Sequence, residues 1–265
     1  MGIIAHNKGN DTAARTLVEH AVKNDPNVPQ FHNTLGVIKE NLGDIPGALE
    51  SYRKAISLKD GYSEAYHNIA VALISAGHFP DAEMNCRKAL TIDPDYAVAY
   101  NTFGYALEGQ GKYAEAVKSY RESVRLNPEI AEAYNHIGVI FDIQGQTEKA
   151  ADNFRLALQI DPGYAEASKN LGITLAKQGQ AERAEKCFKD ALKADPDMYE
   201  AWFNLANLLR DMDMPEQAAE KYLDAIRLNP KDPAPHNNLA SVLNDLGKRQ
   251  EAIEHYQRAI ELLPG

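Results

Sequence analysis

The chain has 265 residues, of which 44% are apolar and 25% are charged, and its formal net charge at pH 7 is −10. This composition predicts a folded protein and argues against intrinsic disorder. The negative charge argues against nucleic-acid binding, which needs a basic patch. No apolar run approaches the roughly 20 residues that span a bilayer. We therefore expect a protein that binds no nucleic acid and does not insert into a membrane.

The chain opens with residues 1–28, which we interpret as the later part of a helical unit that is then repeated. Complete units follow at residues 29–62, 63–96, 97–130, 131–164, 165–198, 199–232 and 233–265. Prolines 34 residues apart set this register, at Pro94, Pro128, Pro162, Pro196, Pro230 and Pro264. A repeat of this length with helical periodicity indicates a solenoid.

The unit at residues 131–164 shows the two helices of a repeat. Numbered from 1 at Ala131, apolar or small residues at positions 4, 7, 8 and 11 form one face of a first helix. Gly145, at position 15, suits a left-handed helix stop. Apolar residues at positions 20, 24, 27 and 30 predict a second helix. Gly138 and Ala150, at positions 8 and 20, predict that the two helices approach closely, with Phe154 filling the space beside them.

Two features recur along the whole chain. Position 20 is alanine in all eight units, the partial one included. The glycine at position 15 recurs in six of the seven complete units, and Asp213 replaces it in the other. Every complete repeat is therefore expected to form the same helical hairpin.

These residues resemble the tetratricopeptide repeat (TPR) family, and the resemblance covers the whole chain. It implies an all-α fold: a right-handed α-solenoid superhelix of tandem 34-residue helix-turn-helix units. The first helices of such units line a concave groove. The resemblance also implies a scaffold that binds a protein or an extended peptide in that groove.

In the TPR family, positions 2, 5, 6, 9, 12 and 13 line the groove. Here every complete unit has asparagine at position 5 or 6, and position 9 is apolar in five consecutive units. Two interpretations of each feature remain open: the asparagines either bind a ligand or follow a family habit, and position 9 either faces the groove or packs between units. The predicted peptide-binding residues are Asn33, Asn68, Val71, Asn101, Tyr105, Asn135, Val139, Lys169, Asn170, Ile173, Asn204, Arg210, Asn237 and Asn238.

No motif in the chain points to chemistry. There is no phosphate-binding loop, no GxSxG motif, and no zinc-ligand spacing around the two cysteines, Cys86 and Cys187. We expect no catalytic residue, no metal and no cofactor, so that any catalytic domain would lie outside this chain. With no secretory signal visible, we expect a cytoplasmic location.

Three functions are therefore compared. The leading one is a non-catalytic protein-protein interaction scaffold. The alternative is the substrate-recognition arm of a larger enzyme such as an O-GlcNAc transferase-like glycosyltransferase, whose groove this chain resembles. The third is a clamp for chaperone carboxylates, for which Lys169, Asn204 and Arg210 come near the required set, although Ile173 at position 9 does not fit.

The two ends of the chain predict one more property. The chain starts inside a unit and stops after a position-32 proline, so we expect a piece of a longer protein. Leu262 and Leu263 continue an apolar edge that internal units cover. We therefore expect weak head-to-tail self-association through the uncapped ends.

Overall fold

The computed structural model describes residues 8–263, with side chains from residue 12 onward. Residues 1–7 of the partial unit, and Pro264 of the proline register, lie outside the described residues. Fifteen α-helices and no strand occur between residues 8 and 263. They are α1 Lys8–Asn24, α2 Pro29–Asn41, α3 Ile45–Leu58, α4 Ser63–Ser75, α5 Phe79–Ile92, α6 Ala97–Glu108, α7 Tyr113–Leu126, α8 Ala131–Ile143, α9 Thr147–Ile160, α10 Ala165–Lys177, α11 Ala181–Ala194, α12 Tyr199–Asp211, α13 Pro215–Leu228, α14 Pro233–Asp245 and α15 Arg249–Leu262.

The chain divides into two compact units between Ala133 and Tyr134. In the first unit α2 packs on α3, α4 on α5 and α6 on α7; in the second, α10 packs on α11, α12 on α13 and α14 on α15. Within each unit, second helices also contact the first helix of the following repeat, as α3 does with α4 and α11 with α12. The predicted all-α solenoid of helical repeats is therefore confirmed. None of the helices within residues 8–263 combines the length and apolar character needed to cross a membrane.

The two helices of a repeat meet where an aromatic ring lies on a glycine. In the first unit, a Cβ added to Gly36 would lie 2.4 Å from the Tyr52 ring. In the second, a Cβ on Gly138 would lie 2.6 Å from Phe154, and one on Gly172 would lie 2.8 Å from Phe188. In these three repeats, any side chain at position 8 would thus overlap the ring. The alanines at position 20 of the complete repeats are almost fully buried beside this contact, which confirms the predicted close approach.

The turn between the two helices requires a left-handed residue. Six glycines at position 15 have positive φ, between 72° and 84°. Asp213, which replaces glycine in the repeat at residues 199–232, adopts φ 60° and is the one described residue other than glycine with positive φ. The predicted helix stop is confirmed, and it holds even where the residue is unfavourable for it.

Consecutive repeats are joined by hydrogen bonds between asparagines. The Asn68 amide donates to the Asn33 carbonyl at 3.1 Å, and the Asn170 amide donates to the Asn135 carbonyl at 3.1 Å. Both bonds run from position 6 of one repeat to position 5 of the repeat before it. These bonds join the first helices of two consecutive repeats, which belong to different hairpins. They therefore help to fix the register between repeats.

Replacing Asp213 by glycine should stabilise the repeat at residues 199–232 by about 0.5–1 kcal/mol. Removal of the left-handed strain, on the order of 1–2 kcal/mol, outweighs the added backbone entropy of glycine. Native-state hydrogen exchange of α12 and α13 measures the opening free energy of this repeat. The matched control is Gly179→Asp in the preceding repeat, where φ is 72°; it should lower the opening free energy of α10 and α11. A destabilising Asp213→Gly substitution would contradict this account.

The Asn135–Asn170 pair should show an energetic coupling of about 0.5–1.5 kcal/mol, the usual net contribution of one hydrogen bond. A double-mutant cycle with Asn135→Ala and Asn170→Ala, read by hydrogen exchange in α10, measures it. Asn204 donates to the backbone of its own helix, at Glu200, 2.7 Å away. A control cycle between Asn170 and Asn204 should therefore be additive. Equal coupling in both cycles would show that the asparagine pair does not join the repeats.

Candidate protein-binding face

The first helices of consecutive repeats contact each other within each unit, as α2 does with α4 and α10 with α12. We call the surface that they form the first-helix face. It is the surface on which the predicted groove residues lie. These residues are of three kinds: asparagines, apolar residues and charged residues.

Most of the predicted asparagines are engaged with other protein groups. Asn33 is buried, and its amide donates to the Glu64 carboxylate at 3.0 Å while its carbonyl accepts from Asn68. In the second unit, the Asn135 amide donates to the Tyr164 hydroxyl at 3.4 Å. Several of the predicted asparagines therefore form hydrogen bonds between neighbouring repeats. The sequence signal for this was the spacing of 35 residues between paired asparagines.

The remaining asparagines extend this pattern. The Asn238 amide donates to the carbonyl of Asn207 at 3.0 Å, and Asn207 also accepts from the Tyr222 hydroxyl at 2.7 Å. Asn237 donates to Asn238 at 3.4 Å. Asn101 differs, because its side-chain oxygen is buried without a hydrogen-bond partner among the described residues. Asn207 is not among the predicted site residues, although it stands at position 9 of its repeat, where the apolar run of the five preceding repeats ends.

The apolar residues at position 9 differ in exposure. In the first unit Tyr105 is 39% exposed, whereas Val71 is half-buried. In the second unit Val139 and Ile173 line a small cavity of about 100 Å³. Ile173 also lines a larger cavity of about 350 Å³ between α10 and α12. This larger cavity was not predicted from the sequence.

Two residues that line the larger cavity occupy positions that form a hydrogen-bonded pair in two repeats of the first unit. In the first unit, the Tyr52 hydroxyl donates to Glu40 at 2.7 Å, which joins positions 24 and 12 of one repeat. In the repeat at residues 165–198 these positions hold Phe188, which has no hydroxyl, and Ala176, which has no carboxylate. Both residues line the cavity. The floor of the cavity is therefore apolar at the two positions where Tyr52 and Glu40 carry polar groups in the first unit.

Polar residues surround this floor. Asn204, Asn207, Lys177 and Asp211 line the same cavity. Asn207 already accepts two hydrogen bonds inside the protein. The arrangement combines a depression for an apolar side chain with polar groups at its edge, which is typical of a binding site for part of a larger ligand.

Three basic residues of the face, including the predicted Lys169 and Arg210, are paired with carboxylates. Lys177 lies 2.7 Å from Asp142, Lys169 lies 2.8 Å from Glu166, and Arg210 lies 2.8 Å from its neighbour Asp211. The other oxygen of Asp142 is buried with no hydrogen-bond partner among the described residues. Ion pairs near the surface contribute little to stability.

Burial shifts the pKa of a carboxyl group and of a thiol group in the first unit. Burial raises the pKa of the Glu40 carboxyl above its ordinary value, and the hydrogen bond from Tyr52 partly offsets this. Burial raises the pKa of the Cys86 thiol to about 12, which keeps it protonated at neutral pH. Between residues 12 and 263, no three His, Cys, Asp or Glu side chains gather as a metal site would need.

Two comparisons identify the repeats. Residues 2–63 match a family model described as Tetratricopeptide repeat, and residues 67–265 match one described as Cilia and flagella-associated protein 70 C-terminal domain. No curated protein matches the chain in sequence.

Solved structures share the fold at low identity. A chain of the APC/C hetero-tetramer Cut9-Hcn1 aligns with a TM-score of 0.79 and 16% identity, over 90% of this chain and 47% of that one. Pseudomonas aeruginosa pilF aligns with a TM-score of 0.70 and 20% identity, over 77% of this chain and 92% of that one. YrrB, described as a TPR protein with an unusual peptide-binding site, aligns with a TM-score of 0.53 and 22% identity, over 69% of this chain and 95% of that one. This chain spans about half the length of the Cut9-Hcn1 chain. It belongs to the tetratricopeptide repeat family.

Proposed function

We propose that the chain is a protein-interaction scaffold whose second unit holds an extended segment of a partner protein on the first-helix face. The observation that carries this proposal is the cavity of about 350 Å³ between α10 and α12. The likeness to YrrB does not carry it, because a structure at 22% identity shows the fold alone. A cytoplasmic location and the absence of catalysis remain part of the proposal.

The cavity favours an aliphatic or aromatic side chain. Phe188 and Leu208, which line it, are 1% and 7% exposed, so they form a rigid apolar floor. A ligand side chain that packs against them removes its own apolar surface from water, which contributes about 25 cal/mol per Å². Backbone groups of the ligand would meet the polar edge at Asn204, whose side chain is half-buried rather than enclosed.

The neighbouring cavity favours a second contact along the same ligand. It shares Ile173 with the larger cavity and is also lined by Val139, Asn170 and Asp142. First helices that pack side by side lie about 8–10 Å apart, and an extended chain rises about 3.3 Å per residue. Side chains roughly three residues apart in the ligand would therefore occupy the two cavities.

The same role is proposed for the first unit, on a different part of the face. Tyr105 is exposed there, and Asn101 has a side-chain oxygen without a partner among the described residues. Asn33, Asn68 and Val71 would support the face from within. We find no feature of the described residues that favours the alternative of a glycosyltransferase recognition arm.

Filling the larger cavity should weaken binding. Ala176→Met keeps a good helix former on α10 and places a flexible side chain in the cavity. Peptides selected on the parent protein from a phage-displayed random library supply the ligand. We expect their affinity for Ala176→Met to fall at least about tenfold, or about 1.4 kcal/mol.

Ala219→Met is the matched control, because Ala219 is also partly buried but lies on α13, a second helix. Its affinity for the selected peptides should equal that of the parent, and circular dichroism should show the same helical content for all three proteins. Peptides that bind Ala176→Met as tightly as the parent would show that the cavity is not the binding site.

A further inference from the structure

The smaller cavity of the second unit contains a carboxylate oxygen without a donor. We call it the Asp142 cavity, and its volume is about 100 Å³. Two polar and four apolar residues line it: Asp142, Asn170, Val139, Ile143, Phe154 and Ile173. One oxygen of Asp142 accepts a bond from Lys177 at 2.7 Å. The other, Oδ1, is buried and has no hydrogen-bond partner among the described residues. A buried acceptor of this kind is costly unless a donor reaches it.

The first unit shows which donor a carboxylate at this position of the repeat receives. In two of its repeats a tyrosine hydroxyl at position 24 donates to a glutamate at position 12, at 2.7 Å in both: Tyr52 to Glu40 and Tyr120 to Glu108. In the repeat at residues 131–164, position 12 is Asp142, whereas position 24 is Phe154, which has no hydroxyl. This repeat therefore has the acceptor without the internal donor.

The floor of the Asp142 cavity is rigid, and its rim is open to solvent. Phe154 is 1% exposed, and its ring lies so close to Gly138 that a Cβ there would be 2.6 Å from it. Ile143, at the rim, is 57% exposed. A donor for Asp142 therefore has to enter from the solvent side, on the first-helix face.

The cavity suits a group that has an apolar body and a polar tip. Its volume exceeds the roughly 30 Å³ that one water molecule occupies in the liquid, and an ordered water needs about two to four polar partners. Asp142 and Asn170 are the two polar side chains among the lining residues, and the other four are apolar. An apolar group that carries one donor fits these walls better than water does.

The charges around the cavity favour a neutral donor. Lys177 already balances the charge of Asp142, so a second ammonium group at Oδ1 would lie near the first and repel it. The Asn170 amide donates to Asn135 at 3.1 Å, and no described residue donates to the Asn170 side-chain oxygen. Both polar side chains of the cavity thus present acceptors, which a hydroxyl group can satisfy.

We propose that the Asp142 cavity binds a hydroxyl-bearing side chain of the partner segment, threonine or tyrosine, whose hydroxyl donates to Asp142 Oδ1. The ligand then supplies the donor that Tyr52 supplies to Glu40 inside another repeat. This inference rests on the proposed function, in which the same segment places an aliphatic or aromatic side chain in the larger cavity. It adds a chemical requirement at a ligand position roughly three residues away.

Peptides selected on the parent protein from a phage-displayed random library supply the test. We expect them to carry threonine or tyrosine roughly three residues from an apolar residue. Replacing that threonine by valine, or that tyrosine by phenylalanine, removes only the hydroxyl. The change should raise the Kd at least about tenfold, because a hydrogen bond to a carboxylate is stronger than one between neutral groups. Isothermal titration calorimetry measures both Kd values.

Two protein variants locate this preference in the Asp142 cavity. Phe154→Tyr places a hydroxyl at position 24, so the peptides with and without the hydroxyl should bind equally tightly. Asp142→Ala removes the acceptor and should have the same effect. Phe103→Tyr is the matched control, because it makes the same aromatic change at a half-buried residue of the first unit; it should keep the preference of the parent. Circular dichroism should show the same helical content for all four proteins.

The outcomes separate this inference from the proposed function. Equal binding of the two peptides to the parent, or a preference that persists in both Phe154→Tyr and Asp142→Ala, would overturn the inference. If Ala176→Met nevertheless weakens binding, the proposed function stands without it. A hydroxyl preference that both variants remove, combined with undiminished binding to Ala176→Met, would support the inference and overturn the role of the larger cavity. Failure to select any peptide would overturn both.

Discussion

The contact between a first-helix glycine and a second-helix aromatic ring determines much of what surrounds it. The ring lies so close that position 8 accepts no side chain in the repeats of Gly36, Gly138 and Gly172. When the ring belongs to tyrosine, its buried hydroxyl needs an acceptor, which Glu40 supplies to Tyr52. When the ring is phenylalanine, the acceptor is no longer needed. In the repeats of Tyr52 and Tyr120 the acceptor is a glutamate at position 12, whereas Tyr222 donates to Asn207 at position 9.

This coupling gives the repeats different surfaces within one architecture. The repeat at residues 165–198 combines Phe188 with Ala176, and a cavity opens beside them. The asparagine pairs, in contrast, connect one repeat to the next. Asn135 and Asn170 bond each other across consecutive first helices, so the walls of the neighbouring cavity are held at a fixed distance. We interpret the asparagines as the framework of the face and the cavities between them as its contact points.

The fold was largely predictable from the sequence because each repeat poses the same local problem. A positive φ at position 15 was expected from the recurring glycine, and Asp213 adopts it as well because both flanking helices are fixed by packing. Which side chains form hydrogen bonds or ion pairs with each other was less predictable. The bond from Asn170 to Asn135, and the ion pair of Lys177 with Asp142, each join residues 35 apart in sequence. Such contacts depend on how first helices face each other, which periodicity alone does not specify. The cavity is lined by Phe188 and Ala176, on two different helices, which lack the polar groups found at these positions in the first repeat. Such a lack of polar groups forms no sequence motif that could be recognised.

The central claim is that a partner segment lies on the first-helix face of the second unit, and methyl NMR of the protein with a bound, library-selected peptide tests it most directly. Methyl groups of Ile173, Leu208 and Met212 line the larger cavity. Leu156 and Leu223 are 40% and 51% exposed on second helices, and they report the opposite side. The account predicts intermolecular nuclear Overhauser effects from the peptide to Ile173, Leu208 and Met212 and none to Leu156 or Leu223. Effects confined to Leu156 and Leu223 would contradict it.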